Sequence, residues 1–161
     1  MKIKFIAVGG TIDKIYFDAK SEYQVGNPKI EEILKDMRVV FDYDCESILR
    51  KDSLDMTDAD RQLIFDAVQS DDNNYIVITH GTDTMVDTAK KLQGITNKVI
   101  VLTGALEPAD FKSSDAVFNI GAAVAAVQSL PEGVYITMNG RIFDPERVRK
   151  NRAHNRFEDT P

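Results

Sequence analysis

Apolar and polar residues alternate along this chain in two kinds of segment. Five short runs rich in β-branched and apolar residues predict β-strands, at Ile3–Val8, within Val39–Leu49, and at Tyr75–Thr79, Lys98–Thr103 and Gly133–Met138. Between these runs, apolar residues recur at the spacing of one helical face, in segments 30–37, 63–68, 85–92 and 117–127. Strands that alternate with helices indicate βαβ units. We therefore expect a three-layer α/β fold, with a flavodoxin-like, mostly parallel sheet and helices on both faces.

The segment Arg141–Pro161 differs in composition from the rest of the chain. It is rich in Arg and Asn, and we expect it to leave the core. Its arginines would then contact another subunit or pair with Asp144 and Glu146, which lie nearby in the sequence.

Glycines, hydroxyls and carboxylates follow every predicted strand. They occur at Gly9–Thr11, Asp52–Asp55, His80–Thr84, Gly104–Pro108 and Asn139–Gly140. In an open α/β sheet, ligands bind beyond the carboxyl ends of the strands. We therefore expect these residues to converge on one crevice, which is the candidate functional site.

Two of these blocks permit more than one interpretation. GGTID is either a tight turn or a cradle that binds a phosphate through backbone N–H groups, although it matches neither G-x-G-x-x-G nor the P-loop pattern. HGTDT either caps the next helix through Thr82 or Asp83, or presents hydroxyls and a carboxylate to a ligand. A threonine nucleophile needs a base. We expect His80 to be structural and His154 to lie on the surface, which leaves a lysine as the alternative base.

The charge of the chain argues against nucleic acid as a partner. The 26 Asp and Glu outnumber the 20 Lys and Arg, so the formal net charge is −6, and an acidic surface repels phosphate backbones. A single cysteine, Cys45, excludes an internal disulfide and is typical of a reducing compartment. The apolar stretch near the N-terminus meets Gly9 too early for a secretory signal, and no run approaches the ~20 residues that span a bilayer. We expect a cytoplasmic protein without a membrane partner.

Seven sequence blocks, in this order, carry a family resemblance: GGTI, YQVG, DSLDMT, ITHGTDTMVDTA, LTGALEP, SSDAVFNIGAA and MNGRIFDPERVRKNRA. Together they resemble the amino-terminal domain of the bacterial-type L-asparaginases. The resemblance implies an amidohydrolase that converts asparagine, and in some members glutamine, to the acid and ammonia, with no metal or organic cofactor. It also implies an extra hairpin near Gly140.

The resemblance assigns catalytic roles to individual residues. Thr11 matches the threonine that attacks the amide carbon and forms an acyl-enzyme. Tyr23 matches the tyrosine of a loop that orders over the substrate and contacts that threonine, so we expect the segment Ile15–Gln24 to be mobile without ligand. Thr82, Asp83 and Lys150 match a Thr–Lys–Asp arrangement in which the threonine orients or activates the attacking water.

Further residues match those that bind the substrate. Asp83 is similar to the residue that receives the α-ammonium group, and Ser53 to the residue that binds the α-carboxylate. Gly10 and Thr82 are expected to contact the substrate near the developing oxyanion. Leu54 departs from the family, because many members carry a glutamine there that helps to hold the α-carboxylate.

The chain also ends near the point where the family continues into a second domain. We expect residues 1–161 to form a single domain of the amino-terminal type, with the carboxy-terminal domain absent. We expect a homo-oligomer, at least a dimer, formed through the apolar helix Ser114–Gln128 or the basic tail. The alternative function is a non-catalytic module that binds asparagine or aspartate for regulation.

Overall fold

The computed structural model describes residues 1–161, which alternate between strands and helices. In chain order the elements are β1 (Lys2–Gly9), β2 (Lys14–Phe17), β3 (Glu22–Val25), α1 (Ile30–Asp36), β4 (Asp42–Lys51), α2 (Asp58–Ser70), β5 (Tyr75–Thr79), α3 (Met85–Leu92), β6 (Val99–Thr103), α4 (Ala116–Ser129), β7 (Gly133–Met138), β8 (Arg141–Phe143), β9 (Val148–Asn151) and β10 (Arg156–Asp159). Single 3₁₀ turns follow β1 at Thr11–Asp13 and β4 at Ser53–Asp55.

Six strands form the central sheet in the order β4-β1-β5-β6-β7-β8. The first five pair in parallel, and only β8 runs antiparallel to its neighbour. The parallel part has the 2-1-3-4-5 order of flavodoxin-like folds, which confirms the predicted fold class. The turn between β7 and β8 is Asn139-Gly140, with φ values of 53° and 74°. Two residues with positive φ are typical of a tight hairpin turn, so the hairpin implied near Gly140 is present.

Helices cover both faces of the sheet, as expected for three layers. Because side chains alternate across a strand, Ile76 and Ile78 of β5 pack on one face with apolar residues of α2 and α3. Val77, between them, packs on the other face with apolar residues of α1 and α4. All three β5 side chains are fully buried.

The C-terminal segment does not leave the core, so that expectation is wrong. Phe143, Val148 and Phe157 are each less than 5% exposed and join the core that contains α2 and α3. β9 and β10 form an antiparallel hairpin that carries two of these three residues. Isolated apolar residues among arginines are therefore enough to fasten the segment to the sheet.

The arginines of this segment find acidic partners within it, although not the predicted ones. Arg149 and Arg156 both contact Glu158, and Arg141 contacts Asp159 at 2.7 Å. These pairs lie across or beside the β9–β10 hairpin, whereas the predicted Asp144 and Glu146 take part in a turn instead. Strand pairing brings Glu158 opposite Arg149, which distance along the sequence did not indicate.

The segment between β1 and α1 forms a third hairpin, in which β2 and β3 pair antiparallel with Tyr16 opposite Tyr23. This is the segment expected from the resemblance to be a lid. Its mobility stays a prediction.

No helix of the chain combines the length and the apolar character needed to cross a bilayer.

Candidate functional site

The loops that follow β1, β4 and β5 contact one another through glycine backbones. A Cβ built on Gly10 would lie 2.4 Å from the Cα and N of Gly81, and one built on Gly81 would lie 2.6 Å from the Cβ of Ser53. Gly10 also has a φ of +92°, a conformation that other residues rarely adopt. Thr11 and Thr82 each directly follow one of the touching glycines, so the contact brings both threonines to the same sheet edge.

A lysine from the C-terminal hairpin reaches this edge. Lys150 Nζ donates to Thr82 Oγ1 and to Asp83 Oδ1, each at 2.8 Å. Thr82 is buried, and only 14% of the Lys150 side chain is exposed. Arg152 Nε lies 3.3 Å from the same Asp83 oxygen. The structure therefore brings together the three residues of the expected Thr–Lys–Asp arrangement.

Helix capping does not explain the HGTDT block. The N-cap of α3 is Thr84, which makes no side-chain capping bond. Thr84 instead binds the loop after β4, since its N–H donates to Ser53 Oγ at 3.2 Å and its hydroxyl donates to Ser53 O at 2.8 Å. Thr82 and Asp83 remain free to interact with Lys150 and with a ligand.

Ser53 is buried beneath this contact, with 1% of its surface exposed. Its hydroxyl accepts one hydrogen bond and donates none within the chain, so its proton is available to an acceptor such as a carboxylate. The neighbouring Leu54 is 60% exposed and offers no polar atom on its side chain. Its backbone N–H donates to Asp52 Oδ1.

Three consecutive backbone donors are also available at the end of β5. The N–H groups of Gly81, Thr82 and Asp83 donate to no acceptor within the chain. By contrast, the N–H of Gly10 donates to Lys51 O at 2.9 Å. The β5 loop therefore offers free donors to an anion, whereas the phosphate-cradle interpretation of GGTID loses the Gly10 donor.

His80 is a structural residue, as expected. Its ring is fully buried, with Nδ1 2.7 Å from Gly81 O and Nε2 2.7 Å from Thr88 Oγ1. Because a carbonyl only accepts, Nδ1 carries the proton in this network and Nε2 accepts from the Thr88 hydroxyl. Burial lowers the pKa of His80 to about 4 despite the opposing hydrogen bond to Gly81. The ring is neutral near pH 7 and holds the Gly81 carbonyl in place. His154, by contrast, is exposed as expected.

Asp13 is a buried acid that the sequence analysis missed. Its Oδ1 accepts from the N–H of Lys29 at 2.9 Å, whereas its Oδ2 is buried without a partner. Burial raises the pKa of this carboxyl to about 6, although the hydrogen bond and charge of Lys29 oppose the shift. The available signal was an acidic residue two positions after Thr11, inside a block otherwise made of glycines and small or apolar residues.

Tyr23 is the predicted residue that the structure does not bond to the others. It is half exposed, and its ring packs on Tyr16 at 5.4 Å and on Phe111 at 5.6 Å between centroids. No hydrogen bond joins it to Thr11, so the contact implied by the resemblance is not a bond in this structure. No group of three or more His, Cys, Asp or Glu side chains is arranged to hold a metal ion.

Comparison with known proteins agrees with the resemblance. The sequence matches the family profile described as "Asparaginase, N-terminal" over residues 2–158. It is 32% identical to the probable periplasmic L-asparaginase of Haemophilus influenzae over 159 residues, which cover 92% of this chain and 46% of that protein. It is 31% identical to L-asparaginase 2 of Escherichia coli, with the same two coverages. The thermostable L-asparaginase of Thermococcus kodakarensis superposes with a TM-score of 0.86 at 27% identity, over 99% of this chain and 51% of that one.

The chain thus spans about half the length of the curated relatives it matches. The family profile matches almost the whole of this chain, from residue 2 to residue 158. The overall fold agrees with the sequence match, since the Thermococcus structure superposes over 99% of this chain. This chain belongs to the asparaginase family.

Proposed function

We propose that this chain carries an amide-hydrolysing site of the asparaginase type, which converts asparagine to aspartate and ammonia through a threonine nucleophile. The observation that carries the proposal is the pair of 2.8 Å bonds from Lys150 Nζ to Thr82 Oγ1 and Asp83 Oδ1. A threonine hydroxyl is a weak nucleophile on its own and needs a group that moves its proton. Lys150, which Asp83 holds against Thr82, can relay a proton at the sheet edge that also carries the nucleophile Thr11.

In the first step, Thr11 Oγ attacks the side-chain amide carbon of the substrate. The Oγ–C bond forms, the C–N bond breaks, and the hydroxyl proton passes to the nitrogen, which leaves as ammonia. The free N–H groups at Gly81, Thr82 and Asp83 are candidates to stabilise the negative charge that develops on the amide oxygen. One such donor typically contributes a factor of about 10²–10³ in rate.

In the second step, water hydrolyses the ester that links the acyl group to Thr11. Thr82 orients this water, and the Thr82–Lys150 pair relays one water proton to Thr11 Oγ as the ester bond breaks. The products are aspartate and the free threonine. Asp83 fixes the position of Lys150 throughout. This sequence of steps requires no metal or organic cofactor.

The charges at the site suit an α-amino acid. Asp83 supplies a carboxylate for the α-ammonium group of the substrate, and the Ser53 hydroxyl supplies a donor for the α-carboxylate. Leu54 adds no hydrogen bond where many members of the family carry a glutamine. We therefore expect a higher KM than a site with both donors would have, because one charge-assisted bond is missing.

Ammonia release from L-asparagine, L-glutamine and D-asparagine tests the proposal directly. We expect release from at least one amide by the purified chain, and the loss of most of it in Thr11→Ala and in Thr82→Val. Because residues that act as a unit are not additive, the double variant should be little worse than either single variant. Thr96→Ala is the matched control, since Thr96 is exposed and precedes the opposite, amino end of β6.

Each result of this assay has a defined meaning. Near-normal release by either single variant would overturn the assigned roles. Saturable binding of aspartate without release from any amide would favour the alternative, a non-catalytic binding module. Neither binding nor release would exclude both functions for the isolated chain.

We further propose that the chain acts as a homodimer through the outer face of α4. This helix contains no charged residue along its 14 positions, and Val117, Phe118 and Ala125 are exposed on it. A groove of about 280 Å³ lies between α4 and Ile142 of β8. An uncharged, apolar face meets its own copy without like-charge repulsion, as an isologous interface requires.

Sedimentation equilibrium at micromolar concentration tests the dimer. We expect twice the 18.0 kDa mass of the chain, and a shift toward the single mass in Phe118→Ser. Leu63→Ser is the control, since Leu63 is similarly exposed but lies on α2, on the opposite face of the sheet. A single-chain mass for the unmodified protein, with full activity, would show that no second copy is needed.

A further inference from the structure

The loop between β6 and α4 contacts the β2–β3 hairpin region at three successive residues. The N–H of Ala109 donates to Ile12 O at 3.0 Å, just before the hairpin. Asp110 forms a 3.0 Å ion pair with Lys29, just after it. The next residue, Phe111, packs its ring edge-on against the ring of Tyr23 in the hairpin itself. The two ring centroids lie 5.6 Å apart, and the ring planes meet at 69°.

The outer half of the hairpin has few other attachments. No hydrogen bond or ion pair joins residues 16–23 to any residue outside the hairpin. The stem is fastened elsewhere, since Lys14 pairs with Asp52 at 2.9 Å. Beyond the stem, Tyr23 lies between Tyr16 of the facing strand and Phe111 of the β6–α4 loop. The contact with Phe111 is thus the aromatic link between the outer hairpin and the body of the domain.

The order of the strands determines what this link covers. The hairpin starts at the end of β1, and Phe111 belongs to the loop after β6. In the sheet, β5 lies between β1 and β6. In the strand order, the hairpin thus starts on one side of β5 and docks on the other, and Thr82 and Asp83 interact with Lys150 at the end of β5.

We propose that Phe111 is a positioning residue that docks Tyr23 and thereby holds the β2–β3 hairpin across the end of β5 before substrate arrives. The docking contact is weak enough to be reversible, because Tyr23 is 50% and Phe111 39% exposed. Holding the hairpin in this position shortens the conformational step that closing a site over its substrate otherwise needs. The docking itself is independent of the proposed function, and only its effect on kinetics rests on amide hydrolysis.

Hydrogen–deuterium exchange of residues 14–25 measures the docking without any need for activity. We expect exchange in this segment to rise about 2- to 10-fold in Phe111→Ala, the range that the loss of one aromatic pair produces. Phe111→Tyr should restore the exchange of the unmodified protein, because tyrosine keeps the ring. Leu63→Ala is the matched control, since Leu63 is also an exposed apolar residue but lies on α2.

The outcomes separate this proposal from the proposed function. Unchanged exchange in Phe111→Ala would overturn the docking role, and so would a rise spread over the whole chain, which would indicate a general loss of stability. If the chain releases ammonia, Phe111→Ala should raise KM by a similar factor and change kcat less; an unchanged KM would overturn the positioning role. If no amide is hydrolysed, the proposed function fails, while the exchange result still decides the docking.

Discussion

Asp13 is buried with one carboxylate oxygen unpartnered, and replacing it with asparagine should change how stability depends on pH. Asparagine has nearly the same shape and keeps an oxygen that accepts from the N–H of Lys29. It cannot ionise. The substitution therefore removes the titration of this site and leaves most of its packing unchanged.

The expected magnitude follows from the two pKa values of the carboxyl. Burial raises the pKa from 3.8 to about 6 in the folded chain, so the folded state binds the proton more tightly than the unfolded state. The contribution of the Asp13 carboxyl to the free energy of unfolding is therefore fully present below pH 3.8, and it is lost as the pH rises through 6. A difference of about two pKa units at 1.36 kcal/mol each corresponds to roughly 3 kcal/mol. The stability of Asp13→Asn relative to the unmodified protein should rise by about that amount between pH 4 and pH 7.

His80 contributes the opposite dependence in the same interval. Its pKa falls from 6.5 to about 4 on folding, so its contribution is present above pH 6.5 and is lost as the pH decreases to 4. At 1.36 kcal/mol per unit this is also about 3 kcal/mol. The two buried groups therefore offset each other in the unmodified protein. Asp13→Asn should expose the acid sensitivity that His80 causes.

Urea-induced unfolding, followed by far-UV circular dichroism at several pH values between 4 and 7.5, measures this difference. Protein concentration and ionic strength are held constant. If the asparagine NH₂ group destabilises the folded state, it lowers the free energy of unfolding of the variant equally at every pH. The dependence of that free energy on pH is then unchanged. A stability difference between the two proteins that does not vary with pH would refute the reasoning, because Asp13 would then titrate as an exposed carboxyl does.

Three further substitutions test the site and its support. Gly10→Ala should lower kcat/KM for ammonia release by about 10²-fold and leave the circular dichroism spectrum unchanged. The new Cβ would lie 2.4 Å from Gly81 and force apart the loops that carry Thr11 and Thr82. A loss of activity below tenfold would contradict this. Lys150→Met should reduce kcat for ammonia release by about 10²–10⁴, the usual value of a positioned proton carrier, and activity close to normal would exclude that role. Phe157→Ala should lower the free energy of unfolding by about 3–5 kcal/mol, since the ring is 3% exposed; a thermal melt within a degree of the unmodified protein would show that the C-terminal hairpin is not part of the core.

Elements with a strong local pattern were predictable from the sequence. The helix predicted at 85–92 and the strand predicted at 75–79 have those bounds in the structure. Helix α2 begins after Thr57, whose hydroxyl accepts from the N–H of Asp60 as part of a capping box. In each case the signal lies in residues that are neighbours along the chain, and secondary structure depends mainly on such neighbours.

The gathering of Gly10, Ser53 and Thr82 at one edge was also predictable. It follows from a general property of parallel sheets, whose carboxyl ends share one side. What the pattern did not supply was a base for the threonines. Only the family resemblance indicated Lys150, because one lysine among the many in the chain has no periodicity of its own.

The tertiary structure decided how Lys150 reaches Thr82, which is 68 positions away in the chain. β9 and β10 have four residues each, too few for an alternating pattern to show above the arginines around them. Their position depends on burying Val148 and Phe157 in the apolar cluster that also contains side chains of α2 and α3, and this cluster joins segments that are distant in sequence. The unpartnered oxygen of Asp13 has the same origin, because whether a carboxyl is buried depends on what packs over it. The sequence by itself determined the secondary-structure elements and the sheet edge at which their polar residues gather. Long-range packing determined which charged groups are held at that edge and which of them are buried.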